Sequence, residues 1–299
     1  MRLARAVVAG AVTACVVEDD GLHPFAAEGA DLPPGGAQEA IVAAATGRTR
    51  PVTGPVVPPG AARVLAPIGR PSAVRDFYAF EAHVATARRG RGLAVDPDWY
   101  ELPIFYFSNP ASIVGPDDLV TAPPGCTQLD YELEVAAVVG RPWDGAGGAW
   151  LDAVAGFTIM NDWSARDLQA REMRQMLGPA KGKDFATSLG PWLVTPDELP
   201  GIASGRPRAA MVARVDGRER SRGELGDIHH AWPTLLAHAA RGTCLVPGDV
   251  IGSGTVGTGC ILELALAHGA EAEPWLVPGQ VVELEVEGLG LLRNVVGPR

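Results

Sequence analysis

Residues 129–140, LDYELEVAAVVG, place two carboxylates beside an apolar run. Glu132 and Glu134 stand two positions apart, and five apolar residues, Val135 to Val139, follow them. Alternate side chains of a β-strand project from one face, so both carboxylates would point the same way. Like charges on a buried strand persist only when they are protonated, paired or bound to a cation. On an edge strand water would hydrate both glutamates, and these residues alone leave that alternative open.

A third carboxylate, Asp162, ends the strand-like stretch VAGFTIMND. It precedes a predicted helix, and functional side chains often lie in such turns. Three converging carboxylates would form an oxygen-only site that suits Mg²⁺, or alternatively Ca²⁺ or Mn²⁺, better than zinc. We therefore expect one divalent cation if these strands lie close together.

The composition is that of a soluble globular protein, because 47% of the 299 residues are hydrophobic and 20% are charged. A net charge of -10 argues against nucleic acid and membranes as partners. Four widely spaced cysteines, without a CxxC pair, indicate neither a zinc site nor a disulfide framework. We therefore expect reduced thiols and a cytoplasmic location.

The N-terminal part predicts a small β-rich domain and a linker. RLARAVV and AVTACVV indicate a β-hairpin, although arginines before an apolar run also resemble a signal peptide. AQEAIVAAA predicts a helix. Residues 50–72 are rich in Pro and Gly, which is typical of a linker between domains. We predict an N-terminal domain with its linker over residues 1–65 and a larger domain over residues 66–299.

Strands dominate the larger domain without a regular βαβ alternation, so we predict an α+β, mostly β fold. Residues 164–179 predict the main helix, with Ser164 and Asp167 as a capping-box-like start and Gly178 near its end. WPTLLAHAARG predicts a shorter helix, whereas GDVIGSG, CILELALA and VVELEVEGLGLLRNVV predict strands. The GxGxxG match at residues 252–257 thus leads into a strand, which argues against a dinucleotide-binding unit.

Arginine carries almost all of the positive charge. Only two of the 25 basic residues are lysines, Lys181 and Lys183, and both lie in GPAKGKDF. This use of a compact ammonium indicates a functional requirement, with chance clustering as the alternative. His229 and His230 are adjacent and would point apart on a helix or strand, so we interpret them as surface or capping residues.

The motifs LDYELE, MNDWSARDLQ, LGPAKGKDF and VPGDVIGSGTVGTGCILEL occur in this order along the chain. Together they closely resemble the fumarylacetoacetate hydrolase family over about residues 72–299, and the N-terminal strands resemble the small leading domain of bacterial members. The resemblance implies a rolled, mixed β-sandwich domain, a divalent cation and a homodimer.

The resemblance also implies a set of metal ligands. Glu132, Glu134 and Asp162 match the carboxylate ligands of the family, which would explain the buried acidic pair. Asp76, in RDFYAFEAH, matches an additional aspartate ligand, either direct or through water.

Catalytic and substrate-binding roles follow from the same resemblance. His83 matches the catalytic histidine, Glu263 the glutamate that orients it, and Lys183 the active-site lysine. The other matches near substrate or metal are Tyr78, Arg166, Gln169 and Thr255.

The resemblance implies an enzyme that hydrolyses a C–C bond in a small acidic 1,3-diketone, similar to fumarylacetoacetate or an acylpyruvate. His83 would activate water, and Lys183 would help to hold an enolate. Alternatives are an isomerase, decarboxylase or hydratase of 2-hydroxy-dienoates from aromatic catabolism, or a biosynthetic or non-catalytic relative. Two departures concern the substrate: Met173 falls near an expected tyrosine, and ARRGRG, after His83, does not align cleanly.

Overall fold

The computed structural model describes residues 1–28 and 36–298, apart from the side chains of residues 27 and 28. Residues 29–35 of the predicted N-terminal domain and Arg299 of the larger domain lie outside the described residues. Within the described ranges, no helix combines the length and the apolar character needed to cross a membrane.

The N-terminal part contains β1 (Arg2–Val8), β2 (Ala11–Glu18), β3 (Gly21–Glu28), α1 (Ala37–Ala45), β4 (Arg50–Thr53) and β5 (Arg63–Leu65). The predicted hairpin is confirmed, because β1 and β2 pair from Leu3↔Val16 to Val8↔Ala11. The predicted helix is confirmed over its full length as α1. The stretch predicted as a linker holds β4 and β5, which pair with β3 and β1. Local Pro and Gly content could not reveal pairings with strands so distant in the chain.

The larger part contains fourteen further strands and four α-helices within the described residues. They are β6 (Val74–Phe77), α2 (Glu81–Arg89), β7 (Phe105–Ser108), β8 (Ile113–Val114), β9 (Leu119–Val120), β10 (Leu129–Asp130), β11 (Leu133–Val139), β12 (Val154–Asp162), β13 (Ser164–Ala165), α3 (Arg166–Met173), β14 (Thr187–Val194), β15 (Ala210–Val215), β16 (Arg218–Glu224), α4 (Trp232–Ala240), β17 (Val250–Gly252), α5 (Ile261–His268), β18 (Val281–Val286) and β19 (Gly290–Val296). Short 3-10 helices cover Pro97–Tyr100, Trp150–Ala153, Pro196–Glu198, Ile202–Ser204 and Leu225–Asp227.

Two large sheets confirm the mostly β, α+β fold. The twelve-stranded sheet has the order β4-β3-β2-β1-β14-β12-β11-β17-β6-β7, with β5 on β1 and β8 on β14. The five-stranded sheet has the order β16-β15-β18-β19-β9, and β10 pairs with β13 separately. Both large sheets are mixed, because β17–β6, β14–β8 and β19–β9 are parallel pairs. Because β1 pairs with β14, the N-terminal strands extend the large sheet, and the boundary at residue 65 stays a prediction.

The largest apolar cluster lies between the two large sheets and explains why β11 is buried. It combines side chains of β11 and β12 with those of β15, β18 and β19. All seven residues of β11 are buried, and β12 and β17 flank this strand on its two sides. The hydrated edge strand is therefore excluded, and Glu134 stands in the interior of the large sheet.

The stretch CILELALA, predicted as a strand, forms helix α5 instead. A short apolar run does not distinguish a buried helix from a buried strand, because both hide apolar residues. The GxGxxG match therefore leads into a helix, contrary to the prediction. A dinucleotide-binding unit is nevertheless excluded, because it needs a strand beside β17 directly after the helix. Here the next strand, β18, lies in the five-stranded sheet.

The main predicted helix is shorter than its pattern indicates. Helix α3 covers Arg166–Met173, and Ser164 belongs to β13, where its hydroxyl donates to the Asp162 carbonyl at 3.1 Å. Asp167 accepts from the Thr127 amide and hydroxyl, both at 2.7 Å. The predicted capping box is therefore wrong, because tertiary partners take the polar groups that would have formed it.

The prediction of two surface or capping histidines is also wrong for His230. Its side chain is buried, and Nε2 donates to the Trp99 carbonyl at 2.8 Å. His229 is partly buried against the Trp99 ring, with ring centroids 5.0 Å apart. Both side chains pack around one tryptophan from a distant segment, which adjacency in the sequence cannot show.

Candidate active site

Three buried carboxylates converge on neighbouring strands of the large sheet. Asp76 stands on β6, Glu134 on β11, and Asp162 is the last residue of β12. One carboxylate oxygen from each residue lies within 4.8 Å of the others. The strand order β12-β11-β17-β6 brings them together, because the short β17 separates Asp76 from Glu134 by a single strand.

A glycine in β17 makes the close approach of Asp76 possible. Gly252 is the register partner of Asp76, and a Cβ at this position would lie 2.3 Å from Asp76 Oδ1. The Gly254 amide then donates to the same Oδ1 at 3.2 Å. The glycines of the former GxGxxG match therefore let backbone and carboxylate pack together.

The carboxylate cluster fits a divalent cation. Glu134 Oε2 and Asp162 Oδ1 are buried and have no hydrogen-bond partner among the described residues. Burial, with the Asp162 charge next in effect, raises the pKa of Asp76 well above its usual range. Burial and the charge of Asp76 likewise raise the pKa of Glu134. Buried carboxylate oxygens that repel one another and lack donors are satisfied by a cation, and an all-oxygen set suits Mg²⁺, Ca²⁺ or Mn²⁺.

Glu132 lies beside this cluster but faces two cationic side chains. It accepts from Arg166 Nη2 at 2.8 Å through Oε1 and from Lys183 Nζ through Oε2. Burial opposes its ionisation, but the Lys183 and Arg166 charges outweigh burial and lower the pKa of Glu132. The carboxylate cluster therefore contains Asp76 and not Glu132, and a metal-ligand role for Glu132 stays a prediction.

Lys183 is the buried lysine of the KGK pair. Its Nζ donates to Glu132 and, at 2.5 Å, to Asp162 Oδ2, and its side chain is 4% exposed. Burial disfavours the ammonium, but Asp162 and Glu132 outweigh burial and raise the pKa of Lys183. Lys181, in contrast, is 70% exposed and pairs with Asp184 at 2.7 Å. Lys183 is therefore buried among carboxylates, whereas Lys181 is exposed, and the catalytic role of Lys183 stays a prediction.

His83 and Glu263 form a buried pair at the other side of the site. His83 is the third residue of α2, Glu263 is the third residue of α5, and these helices pack on each other. Nδ1 of His83 lies 2.7 Å from Glu263 Oε2. Because an ionised carboxylate only accepts, this contact requires the proton on Nδ1, and in the neutral ring Nε2 is then the acceptor. The Tyr78 ring packs edge-on against the imidazole at 5.3 Å.

A cavity of about 280 Å³ brings the predicted residues together. Asp162 and Glu263 contact the lining residues Lys183 and His83. The predicted site residues that line the cavity directly are Asp76, Tyr78, His83, Glu132, Glu134, Arg166, Gln169, Lys183 and Thr255. Their roles stay predictions, but the tertiary structure places every one of them at this site.

Two of the supposed substrate-binding residues also support the carboxylates. Thr255 Oγ1 donates to Glu134 Oε1 at 3.1 Å, and Arg166 Nη2 donates to Glu132 Oε1 at 2.8 Å. Arg166 Nη1 also donates to Gln169 Oε1 at 3.1 Å. Met173, at the position near an expected tyrosine, lines the cavity with an apolar side chain.

Sequence reasoning missed Tyr106 and left Arg88 and Arg91 of ARRGRG without a role, and all three line the cavity. The Tyr106 hydroxyl donates to Asp162 Oδ2 at 2.6 Å, and its ring centroid lies 5.9 Å from Lys183 Nζ. Tyr106 is the register partner of Asp76 across β6 and β7. Alternation within IFYFS indicates which face Tyr106 takes only after this pairing is known, so no local signal identified it.

Comparison with known proteins identifies the family. The family model described as fumarylacetoacetate (FAA) hydrolase C-terminal matches residues 72–297, and the chain belongs to this family. A fumarylacetoacetase of Arabidopsis thaliana is 32% identical over 243 residues, 63% of this chain and 57% of that protein. The match thus spans little more than half the length of this plant relative.

Solved structures extend the likeness to the whole chain. A 5-carboxymethyl-2-hydroxymuconate delta-isomerase from Mycobacterium smegmatis is 27% identical with a TM-score of 0.72, and the match covers 100% of both chains. A fumarylacetoacetate hydrolase from psychrophilic Exiguobacterium antarcticum is 26% identical with a TM-score of 0.74, again over 100% of both chains. The relatives of this chain therefore include proteins named as hydrolases and as an isomerase.

Proposed function

We propose that this protein hydrolyses a C–C bond in a small acidic 1,3-diketone. The observation that carries the proposal is the His83–Glu263 pair, because it opens onto the same cavity as the carboxylate cluster. A histidine whose Nδ1 is fixed by a buried carboxylate is a suitable base for a water molecule at Nε2. C–C hydrolysis needs such a base, whereas migration of a double bond does not require activated water.

The residues of the carboxylate cluster provide the binding half of the mechanism. Asp76, Glu134 and Asp162 would hold a divalent cation, with Glu132 as a further oxygen donor beside them. When bound, such a cation supplies Lewis acidity toward the oxygens of a dicarbonyl substrate. Tyr106 donates to Asp162 Oδ2 and Thr255 donates to Glu134 Oε1, so they hold the two carboxylates in place. Asp162 Oδ1 and Glu134 Oε2, which have no partner among the described residues, stay available to the cation.

Lys183 and His83 divide the proton and charge chemistry between them. His83 Nε2 takes a proton from water, and Glu263 stabilises the imidazolium that forms. The resulting hydroxide attacks a carbonyl carbon, and the C–C bond breaks with its electron pair on the leaving fragment. The Lys183 ammonium, with Arg166 next to it, supports the enolate charge of that fragment until it is protonated.

The second candidate is an isomerase of a 2-hydroxy-dienoate. Similarity to the mycobacterial delta-isomerase over the full length of both chains favours it. An isomerase needs a group that removes a proton and returns it at another carbon. His83 could do this without water, so the two candidates differ in the fate of the substrate and not in the residues that bind it.

A substrate screen distinguishes the candidates. Purified protein with Mg²⁺ is given acylpyruvates, fumarylacetoacetate-like diketones and 2-hydroxy-dienoates, while loss of substrate absorbance is followed and products are identified by NMR. Two fragments, with solvent ¹⁸O in the new carboxylate, support hydrolysis. A single isomeric product supports the isomerase, and a lack of reaction with every diketone contradicts the proposal.

A further inference from the structure

A fully buried carboxylate, Asp130, contacts both Arg166 of α3 and the start of α5. It stands on β10, which pairs with β13 in the register Leu129↔Ala165 and Asp130↔Ser164. The backbone of the preceding residue is also held, because Leu129 accepts from the Leu276 amide at 3.0 Å. The backbone around Asp130 is therefore held by pairing with β13, which directly precedes α3, and by the bridge from Leu129 to Leu276.

Both oxygens of Asp130 are used to hold other segments. Oδ1 accepts from the Ile261 amide at 2.7 Å, and Oδ2 accepts from the Leu262 amide at 3.0 Å. Oδ2 also accepts from Arg166 Nε at 2.8 Å. Asp130 therefore satisfies the first two amides of α5, whose own N-cap residue, Cys260, makes no capping side-chain hydrogen bond.

The residue directly after these two amides is Glu263. A helix that begins one residue later, or that frays by one turn, would move Glu263 away from His83. The thiol of Cys260 adds only a long contact with Glu263, at 3.6 Å from sulfur to Oε2. The position of Glu263 thus depends on how the start of α5 is held. Asp130, on strand β10, holds this start through the Ile261 and Leu262 amides.

We propose that Asp130 is a positioning residue: it fixes the start of α5 so that Glu263 meets His83, and through Arg166 it links this helix to Glu132, which lies beside the carboxylate cluster. Arg166 donates to Asp130 and to Glu132 at 2.8 Å each, so one guanidinium links the two carboxylates. The proposal rests on the proposed function only in taking His83 as the base.

The first test compares two Asp→Asn substitutions that conserve shape. Asp130→Asn replaces one of the two acceptor oxygens by an amide that only donates, so at least one of the contacts with α5 or Arg166 is lost, and kcat should fall about 10–100-fold, with KM within about threefold. The matched control is Asp167→Asn, at the start of α3, where the carboxylate caps Thr127 and Leu168 outside the cavity. This control should leave kcat within about threefold. Equal losses in the two variants would overturn the proposal.

A double-mutant cycle separates positioning from a general structural defect. If Asp130 acts through Glu263, adding Asp130→Asn to Glu263→Gln should lower kcat by less than about threefold more. Losses that multiply would show that Asp130 acts elsewhere. The affinity for Mn²⁺, measured by calorimetry, should stay within about threefold in Asp130→Asn. A parallel loss of Mn²⁺ affinity would assign the effect to the carboxylate cluster and overturn the proposal.

A spectroscopic readout keeps the inference separate from the proposed function. In ¹⁵N-histidine-labelled protein, the Nδ1 proton held by Glu263 should give a downfield resonance, assigned by its loss in His83→Ala. Asp130→Asn should shift or broaden this resonance, whereas Asp167→Asn should not. This result would support the positioning role even if no diketone is hydrolysed. An unchanged resonance in folded Asp130→Asn, judged by circular dichroism, would overturn it.

Discussion

The carboxylate cluster and the His83–Glu263 pair face one cavity, yet the chain builds them in different ways. Asp76, Glu134 and Asp162 stand on adjacent or nearly adjacent strands, where each position is fixed by a ladder of backbone hydrogen bonds. His83 and Glu263 stand in the first turns of two helices and meet only because those helices pack together.

Because of this difference, we expect substitutions in the carboxylate cluster and in the His83–Glu263 pair to have different effects. A sheet register is set by many backbone bonds, so a side chain in the cluster can change while its neighbours stay in place. A helix start is set by few contacts, and for α5 two of them come from Asp130. We therefore expect substitutions in the cluster to change cation binding first, and substitutions in the helix pair to change turnover without changing cation binding.

The largest effect is expected at His83. His83→Ala should lower kcat about 10²–10⁴-fold, because general-base catalysis contributes a factor of this size. Mn²⁺ affinity should stay close to that of the wild type, since His83 is not part of the mutually close carboxylate set. Steady-state kinetics and calorimetry on the same preparation check both halves of the prediction. Activity within a few-fold of wild type would assign water activation to another group and contradict the proposed role of His83.

The next effect concerns Lys183 and its exposed neighbour. Lys183→Arg should lower kcat about 10²–10³-fold, nearly as much as Lys183→Met, because a planar guanidinium cannot reproduce a buried ammonium between Glu132 and Asp162. Lys181→Arg is the control and should leave kcat unchanged, since its side chain is exposed. If Lys183→Arg keeps wild-type turnover, or if Lys181→Arg is the damaging change, the assignment within KGK is wrong.

A smaller effect is expected for cation affinity at Glu134. Glu134→Gln should weaken Mg²⁺ or Mn²⁺ binding about 10–100-fold and lower activity in parallel. The substitution replaces a carboxylate by a neutral amide at a position where Oε2 has no hydrogen-bond donor among the described residues. Calorimetry measures the affinity directly. Unchanged binding in this variant would contradict the carboxylate site. Glu132→Gln tests the residue that lies outside the carboxylate cluster. A smaller loss of cation affinity than in Glu134→Gln would show that Glu132 contributes less to cation binding.

The pH dependence of cation binding tests the raised carboxyl pKa values. Burial and mutual repulsion raise the pKa of Asp76 and Glu134, so these groups retain protons at a pH where ordinary carboxyls are ionised. Cation binding must displace those protons, and affinity should rise with pH by up to about tenfold per unit for each proton released. Calorimetry in buffers of different ionisation enthalpy counts the protons. No proton release, or affinity that falls with rising pH, would contradict this sign.

The smallest effect is expected at Tyr106. Tyr106→Phe removes the hydroxyl that donates to Asp162 but keeps the ring near Lys183. Because Lys183 still donates to the same carboxylate oxygen, we expect only a few-fold loss of kcat and of Mn²⁺ affinity together. Kinetics and calorimetry on this one variant suffice. A loss as large as that of Lys183→Arg would indicate that the tyrosine itself contacts the reacting atoms.

Sequence patterns predicted one half of the site better than the other. Period-two placement put Glu132 and Glu134 on one face of a strand and left the hydrated edge strand open, and lysine scarcity indicated a function for GPAKGKDF. The His83–Glu263 pair was harder to predict, because the apolar pattern of CILELALA does not distinguish a helix from a strand. Glu263 was assigned by resemblance, and the helix that carries it was predicted as a strand.

The sequence by itself determined the chemistry that is available: carboxylates on and beside an apolar strand, two lysines confined to KGK, and motifs of the fumarylacetoacetate hydrolase family. Only the tertiary structure decided which carboxylates meet. It grouped Asp76 with Glu134 and Asp162, and it turned Glu132 toward Lys183 and Arg166. It also set Asp130 against the start of α5. Alternation along a strand specifies which face a side chain takes. Which charged side chains meet depends on strand order and helix packing, and both are set by contacts between distant parts of the chain.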